Sequence, residues 1–309
     1  MESAFSPQHE AEADNTGQIY FPVDDLKHIV LPGQTDNRTK PPITRSEILD
    51  FGNQGFLLHH VLSQAECDHF IKEGERVEFD KVKGARDDYR EQQRISIESS
   101  ELSEMLWERM RPWLSDITIE DDPLKQHVHG IKFLMQGTWT PIALNSVWRL
   151  GRYQPDGHFA PHFDGYFVRN SKERSLQTFM LYLNEGFEGG STNFVDESQT
   201  LFRDWDGKYC AEEKNIVCGI QPEAGMAIVF NHQRLHEGQK LGSGVKYILR
   251  TDIMFRNLSQ TSRSANEEKA LQLVQEAERK EASGDCLEAA ELYRKAFKLS
   301  SEVEAAYGT

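Results

Sequence analysis

The stretch Gly157-His158-Phe159-Ala160-Pro161-His162-Phe163-Asp164-Gly165-Tyr166 sets a histidine and an aspartate two residues apart in an aromatic-flanked segment. In a strand, residues i and i+2 point to the same face, so His162 and Asp164 are expected to reach one point together. An imidazole and a carboxylate converging from one strand suggest a metal, with the third ligand supplied from elsewhere in the fold. The best candidate is His236, in Phe230-Asn231-His232-Gln233-Arg234-Leu235-His236-Glu237-Gly238. Two histidines and a carboxylate on one face leave the opposite positions open, which suits iron(II). Zinc in a hydrolase uses the same donors. The ligands alone do not choose between the metals.

Working outward, the pattern around this stretch is one of short strands separated by glycine and proline. The segments are Ser146-Val147-Trp148-Arg149-Leu150, then 177–183, 225–231 and 246–255. They predict a double-sheet β-roll whose mouth holds a small-molecule site. Between Phe194 and Pro222 lies a long polar insertion containing Asp204-Trp205-Asp206-Gly207, which we expect to form a rim over that site. Upstream, Gly55-Phe56-Leu57-Leu58-His59-His60-Val61-Leu62 reads as a strand. The next four residues, Ser63-Gln64-Ala65-Glu66, have capping-box spacing and open a helix toward Glu75. Residues 86–94 form a charged loop in which Arg90 and Arg94 are candidate substrate contacts. From 102 to 114, Met105, Leu106, Met110 and Trp113 recur at helical spacing and read as core. His59, His60, His69 and the pair His127 and His129 have no partner at ligand spacing. His158 and His232 are expected beside the metal ligands and not among them.

The ends differ from the middle. Residues 1–44 are polar with no sustained period and read as a largely disordered or extended lead, although the apolar island from Ile19 to Val30 is a candidate edge strand. Residues 45–258 read as the catalytic-type domain, and 259–309 as a C-terminal helical hairpin similar to a tetratricopeptide repeat or a microtubule-interacting-and-trafficking hairpin. A lone repeat cannot bury its own face, so it is expected to pack on the domain or a protein partner.

The 309 residues are enough for a sizeable core, and the net charge of -15 argues against nucleic acid or an anionic membrane as a partner. The start of the chain has no basic residues followed by an apolar run, and no later window is long enough to span a bilayer. Cys67, Cys210, Cys218 and Cys286 lack CxxC spacing and read as free thiols. A cytoplasmic location follows as the expectation, with the nucleus as the other option.

Five blocks in the same order then resemble the iron(II)- and 2-oxoglutarate-dependent oxygenases, specifically the prolyl 4-hydroxylase-like branch. They are Arg152 through Asp164, Thr178-Phe179-Met180-Leu181-Tyr182-Leu183-Asn184, Phe187 through Phe194, Pro222 through Phe230, and His236-Glu237-Gly238 with Lys246-Tyr247. The resemblance implies an α+β protein with a double-stranded β-helix (jelly-roll) core braced by N-terminal helices. It implies Fe(II) on His162, Asp164 and His236, with 2-oxoglutarate and O2 as cosubstrates and L-ascorbate as reductant. It makes Lys246 the expected anchor of the far carboxylate of 2-oxoglutarate, with Arg250 on the same strand face as the alternative. Tyr153 and Tyr182 match family tyrosines near the cosubstrate, and Thr178 shares a strand face with Tyr182. The implied reaction is hydroxylation of a protein or small-molecule substrate, a prolyl side chain being the family's best-known target. Two rivals are a non-catalytic adaptor and a zinc hydrolase. The hydrolase needs a base beside the metal, and Glu237, its nearest candidate, faces away if His236 faces in.

Overall fold

The computed structural model of the chain describes residues 12–13, 19–20, 26–33, 41–48, 55–82, 85–120, 135–170, 172–259, 264–282 and 286–307. Two antiparallel sheets face one another. The larger runs, in spatial order, Thr44–Glu47, Gly55–His59, Ala227–Asn231, Glu173–Tyr182, Lys246–Asn257, Val147–Tyr153, Gln93–Glu98 and Asp80–Lys81, with further strands at its margin. The smaller runs Ile216–Ile220, Thr192–Val195, His236–Gly238, His158–His162 and Arg90–Glu91. Most neighbours in the middle of each sheet are far apart in sequence, as in the expected jelly roll.

The period of two assigns the faces of the larger sheet. Leu150, Phe179, Leu181 and Leu249 point outward into a core shared with the two helices, Gln64–Val77 and Ser100–Met110. Tyr153, Met180, Tyr182, Ile228, Phe230 and Ile248 point inward, toward the smaller sheet. The first helix begins at Ser63 with the predicted capping box: Glu66 N donates to Ser63 Oγ, and Ser63 N donates to Glu66 Oε2 at 2.8 Å. Burial alone raises the Glu66 carboxyl, but Arg109, donating to Oε1 at 2.7 Å from the second helix, and the hydrogen bonds from Ser63 together outweigh it and lower the pKa. The helix can lie this close to the sheet because residue 74 is glycine. A Cβ there would come within 2.7 Å of Leu150 Cδ2.

Several sequence expectations shift. Thr44–Glu47, at the expected domain boundary, is a strand on Gly55–His59. Part of the apolar island docks as expected of an edge. Leu26 bridges Ser96, Lys27 N donates to Ser96 O, and Ile29 is buried. The charged run at 86–94 is partly strand, Arg90–Glu91 and Gln93–Glu98, because Arg90 and Ile95 have buried places to go. Gly137–Leu144 is a strand that periodicity did not reveal; its even burial along both faces erases the alternation. His127 and His129 lie outside the described residues. The polar insertion is tied down by Lys240 Nζ, which donates to Asp204 Oδ2 at 2.8 Å and Asp206 Oδ2 at 2.7 Å, while Trp205 stays 92% exposed.

The C-terminal segment forms Ala265–Ala282, Cys286–Leu299 and a third helix, Ser301–Tyr307, that the sequence reading did not anticipate. Val303 from that third helix joins Ala270, Leu271, Val274 and Ala296 in one buried cluster. The hairpin thus covers part of its own face. Among the described residues, no helix is long and apolar enough to cross a membrane.

Candidate active site

His162 ends one strand of the smaller sheet and His236 begins the next, and the two are paired across it. Asp164 lies beyond the strand end, not within it. A register shift between Phe159 and His162 breaks the simple alternation, and Asp164 N donates to His232 O at 3.0 Å. The expected convergence occurs, but the irregular segment just past the strand end produces it, not the i, i+2 rule. One donor atom from each of His162, Asp164 and His236 lies within 4.8 Å of the others, and all three are buried. Asp164 Oδ1 is 3.8 Å from His162 Nε2, and Oδ2 is 3.7 Å from His236 Nε2.

Both imidazoles are oriented by the backbone. His162 Nδ1 is 2.7 Å from Ala160 O, and His236 Nδ1 is 2.9 Å from Arg234 O. A carbonyl oxygen only accepts, so each Nδ1 carries the proton and each Nε2 turns a lone pair toward the shared point. Burial lowers both histidines below the usual imidazole value, favouring the neutral ligand form. Burial alone would raise the Asp164 carboxyl. Arg250, with Nη2 at 2.8 Å from Oδ1, and then His236 and His162, outweigh it and hold the carboxyl well below the usual range. Two neutral nitrogen donors and one carboxylate, all pre-aimed, fit a divalent metal.

Behind Asp164 a directed chain of hydrogen bonds fixes its second oxygen. Thr178 Oγ1 donates to Asp164 Oδ2 at 2.5 Å, so it has no proton left for His232. His232 Nδ1 therefore donates to Thr178 Oγ1 at 3.0 Å, and Nε2 accepts from Ser175 Oγ at 2.9 Å. That assignment requires neutral His232, and burial lowers its pKa to about 4. On the other side, the Phe159 ring stacks on His162 at 3.5 Å, and the Arg90 guanidinium lies 4.2 Å from the Phe159 centroid.

The triad opens into a cavity of about 560 Å3, its solvent-filled mouth included, which Lys246, Tyr153, Thr178 and Arg250 also line. Lys246 Nζ donates to Gly190 O at 2.6 Å and lies 5.4 Å and 5.6 Å from the ring centroids of Tyr153 and Tyr182. Gly190 has φ +69, and a Cβ there would crowd Leu241 and Phe187, so glycine is what lets this carbonyl be presented. Burial pushes the Lys246 pKa down to about 7, with no carboxylate opposing the shift. A cation held this way fits a site for a carboxylate that is not part of the chain.

The two alternatives for the anchor are thus in different places: Lys246 between two tyrosines, and Arg250 on the metal carboxylate. Tyr182 is not on the cavity wall. Its hydroxyl donates to Thr192 Oγ1 at 2.8 Å, and Thr192 lines the cavity instead. The Tyr153 hydroxyl donates to Gln92 Oε1 at 3.1 Å. Of the loop candidates, Arg90 and Arg94 both reach the cavity. Arg149, Gln92 and Thr192 also line it and were not singled out from the sequence. Arg149 was reachable by parity, since it shares a strand face with Gly151 and Tyr153. His158 is buried against Asp88 O at 3.2 Å and does not line the cavity. Glu237 has its oxygens on Asn193 Nδ2 (2.8 Å) and Ala211 N (2.7 Å), which removes the base that a zinc hydrolase needs.

Residues 148–251 match the family model of the 2OG-Fe(II) oxygenase superfamily. That segment holds His162, Asp164, His236, Lys246 and Arg250. Among solved structures, the chain is similar to the viral collagen prolyl hydroxylase of Paramecium Bursaria Chlorella virus-1 in complex with 2OG. The identity is 21% and the TM-score 0.41, over 67% of this chain and 98% of that one. It is also similar to a Pseudomonas putida prolyl-4-hydroxylase, at 18% identity and TM-score 0.39, over 67% and 94% of the two chains. A Trichoplax adhaerens prolyl hydroxylase in complex with a hypoxia inducible factor peptide fragment has 14% identity and TM-score 0.39, over 65% and 84%. No curated protein matches the chain.

Proposed function

We propose that this protein is an Fe(II)- and 2-oxoglutarate-dependent dioxygenase that hydroxylates a C–H bond of its substrate. The observation that carries this reading is that the pre-aimed His162, Asp164 and His236 face the same cavity as the buried Lys246. Iron(II) on the triad supplies coupled decarboxylation of 2-oxoglutarate to succinate and CO2 and oxidation of the substrate by O2.

The chain's own groups do the rest. His162 and His236 present Nε2 because Ala160 and Arg234 hold Nδ1–H. Asp164 is oriented by Thr178 and Arg250. Lys246 supplies the charge for the far carboxylate of 2-oxoglutarate, and Tyr153 and Thr192 offer hydroxyls beside it. Arg250, committed to Asp164, is the weaker candidate for that anchor. L-ascorbate as reductant and a prolyl side chain as target are suggested by the sequence blocks that resemble the prolyl 4-hydroxylase-like branch.

The test is succinate release from anaerobically purified protein given iron(II), 2-oxoglutarate, ascorbate and air without added substrate. Slow iron-dependent succinate is the expected result. Absence of both turnover and saturable 2-oxoglutarate binding would overturn the reading in favour of a non-catalytic adaptor.

A further inference from the structure

Gln92 joins the two sheets. It stands between Arg90–Glu91 of the smaller sheet and Gln93–Glu98 of the larger one, and it is buried. Its carboxamide can face only one way. Oε1 accepts from Arg90 Nε at 3.0 Å, from Arg90 Nη2 at 2.9 Å and from the Tyr153 hydroxyl at 3.1 Å. Turning the amide over would aim its N–H groups at those same donors, so these contacts settle which end is oxygen. Nε2 is left on the other side, where it has no acceptor among the described residues, and Gln92 lines the cavity. A buried N–H pair without an acceptor costs free energy that a bound acceptor would recover.

Backbone register places that amide. On the strand Val147–Tyr153, the inward residues Arg149, Gly151 and Tyr153 lie opposite Arg250, Ile248 and Lys246 in turn. Nε2 lies over Gly151, where a Cβ would collide with it. A glycine inside a strand weakens it, and here its missing side chain is the room the carboxamide occupies. Gly151 is two residues, about 7 Å, from Tyr153 on one side and from Arg149 on the other. The amide therefore stands between the Lys246 end of the cavity and Arg250, which contacts Asp164. Its bond from Tyr153 ties it to the Lys246 end.

The two tyrosines beside Lys246 repeat one arrangement. Tyr153 gives its proton to Gln92, and Tyr182 gives its proton to Thr192. A phenol has no second proton to donate, whereas Gln92 and Thr192 line the cavity and keep protons of their own. An ammonium such as that of Lys246 is a point charge. Directional donors beside it set the tilt of a carboxylate.

From this we infer that Gln92 is a specificity-determining residue of the cosubstrate site. Nε2 donates to the far carboxylate of the 2-oxo diacid held by Lys246, and Tyr153 is a positioning residue that acts through Gln92. The inference rests on the proposed function for the identity of that acid.

The test is calorimetry on the full chain loaded with Mn(II), titrated with 2-oxoglutarate and with 2-oxobutyrate, which lacks the far carboxylate. Gln92→Glu keeps an acceptor for Arg90 and Tyr153 and replaces the donor with an oxygen. It should weaken 2-oxoglutarate about tenfold or more and leave Mn(II) and 2-oxobutyrate within about threefold. Tyr153→Phe should weaken 2-oxoglutarate by a smaller factor and again spare 2-oxobutyrate. Equal losses for both acids would mean a structural role and overturn the inference, as would unchanged 2-oxoglutarate binding by Gln92→Glu. If that variant does not fold, the Gln92 side-chain amide resonance of the unaltered Zn(II)-loaded chain decides. It should shift on adding 2-oxoglutarate and not on adding 2-oxobutyrate; absence of the shift with 2-oxoglutarate overturns the inference. No saturable binding of either acid by the unaltered chain would sink the proposed function and this inference with it. Binding of 2-oxoglutarate that ignores Gln92 would sink the inference alone.

Discussion

The two faces of the larger sheet obey different rules, although they alternate along the same strands. On the outward face, Trp148, Leu150, Phe179, Leu181 and Leu249 are fully buried among aliphatic and aromatic neighbours. On the inward face, an odd number of positions away along the same strands, stand Arg149, Gly151, Thr178, Tyr182, Lys246 and Arg250. The outward face gains apolar burial, on the order of 25 cal/mol per Å2. On the inward face burial lowers the pKa of Arg149 and of Lys246, the latter by an amount worth roughly 5 kcal/mol. One side of the sheet stabilises the domain, and the other buries charge at a cost.

That contrast can be broken in order of effect. His162→Ala, on the inward-facing site, should reduce metal-dependent succinate release to background while leaving the thermal transition cooperative. Normal turnover by the folded variant would remove His162 from the metal site. Phe179→Ala, on the outward face, should do the reverse and cost about 3–5 kcal/mol in urea unfolding. A cost under about 1 kcal/mol would mean that the outer core is not the stabilising layer.

Lys246→Ala should raise the 2-oxoglutarate concentration needed for half-saturation at least tenfold, with a much smaller change in metal affinity. An unchanged requirement would move the anchor to Arg250. The pH dependence sharpens the same point. The folded-state pKa of Lys246 is lowered to about 7 from 10.5, so between these values the unfolded chain holds the extra proton. Stability of the ligand-free protein should therefore rise with pH across that window. Binding of 2-oxoglutarate, which needs the cation, should weaken as pH passes 7 in the Mn(II)-loaded protein. A flat binding profile from pH 7 to 9 would contradict this. A further test is Thr178→Val, which removes the donor to Asp164 Oδ2 and should weaken metal binding roughly 10- to 100-fold. Metal affinity within twofold of the unaltered chain would leave the Ser175–His232–Thr178 chain a packing feature.

The sequence by itself pointed to the His162, Asp164 and His236 cluster, to Lys246, to the capping box at Ser63 and to the strand pattern from 147 onward. These are local signals: ligand types at short spacing, turn residues, a side chain three positions from its cap, and a period of two. The order of the five blocks did more than any one of them. Only the tertiary structure decided that Asp164 is placed by the irregular segment past the strand end, bonded to His232 O, and not by strand parity. It also decided that Tyr182 stands behind Thr192, and that a third C-terminal helix supplies Val303 to the hairpin core. The pairing of Arg149 with Arg250 across neighbouring strands belongs to the same class. Each arginine alone reads as an ordinary strand residue, because charge becomes informative only when register brings like charges opposite one another. Periodicity assigns a residue to a face; sheet pairing between strands distant in sequence decides which residues share it.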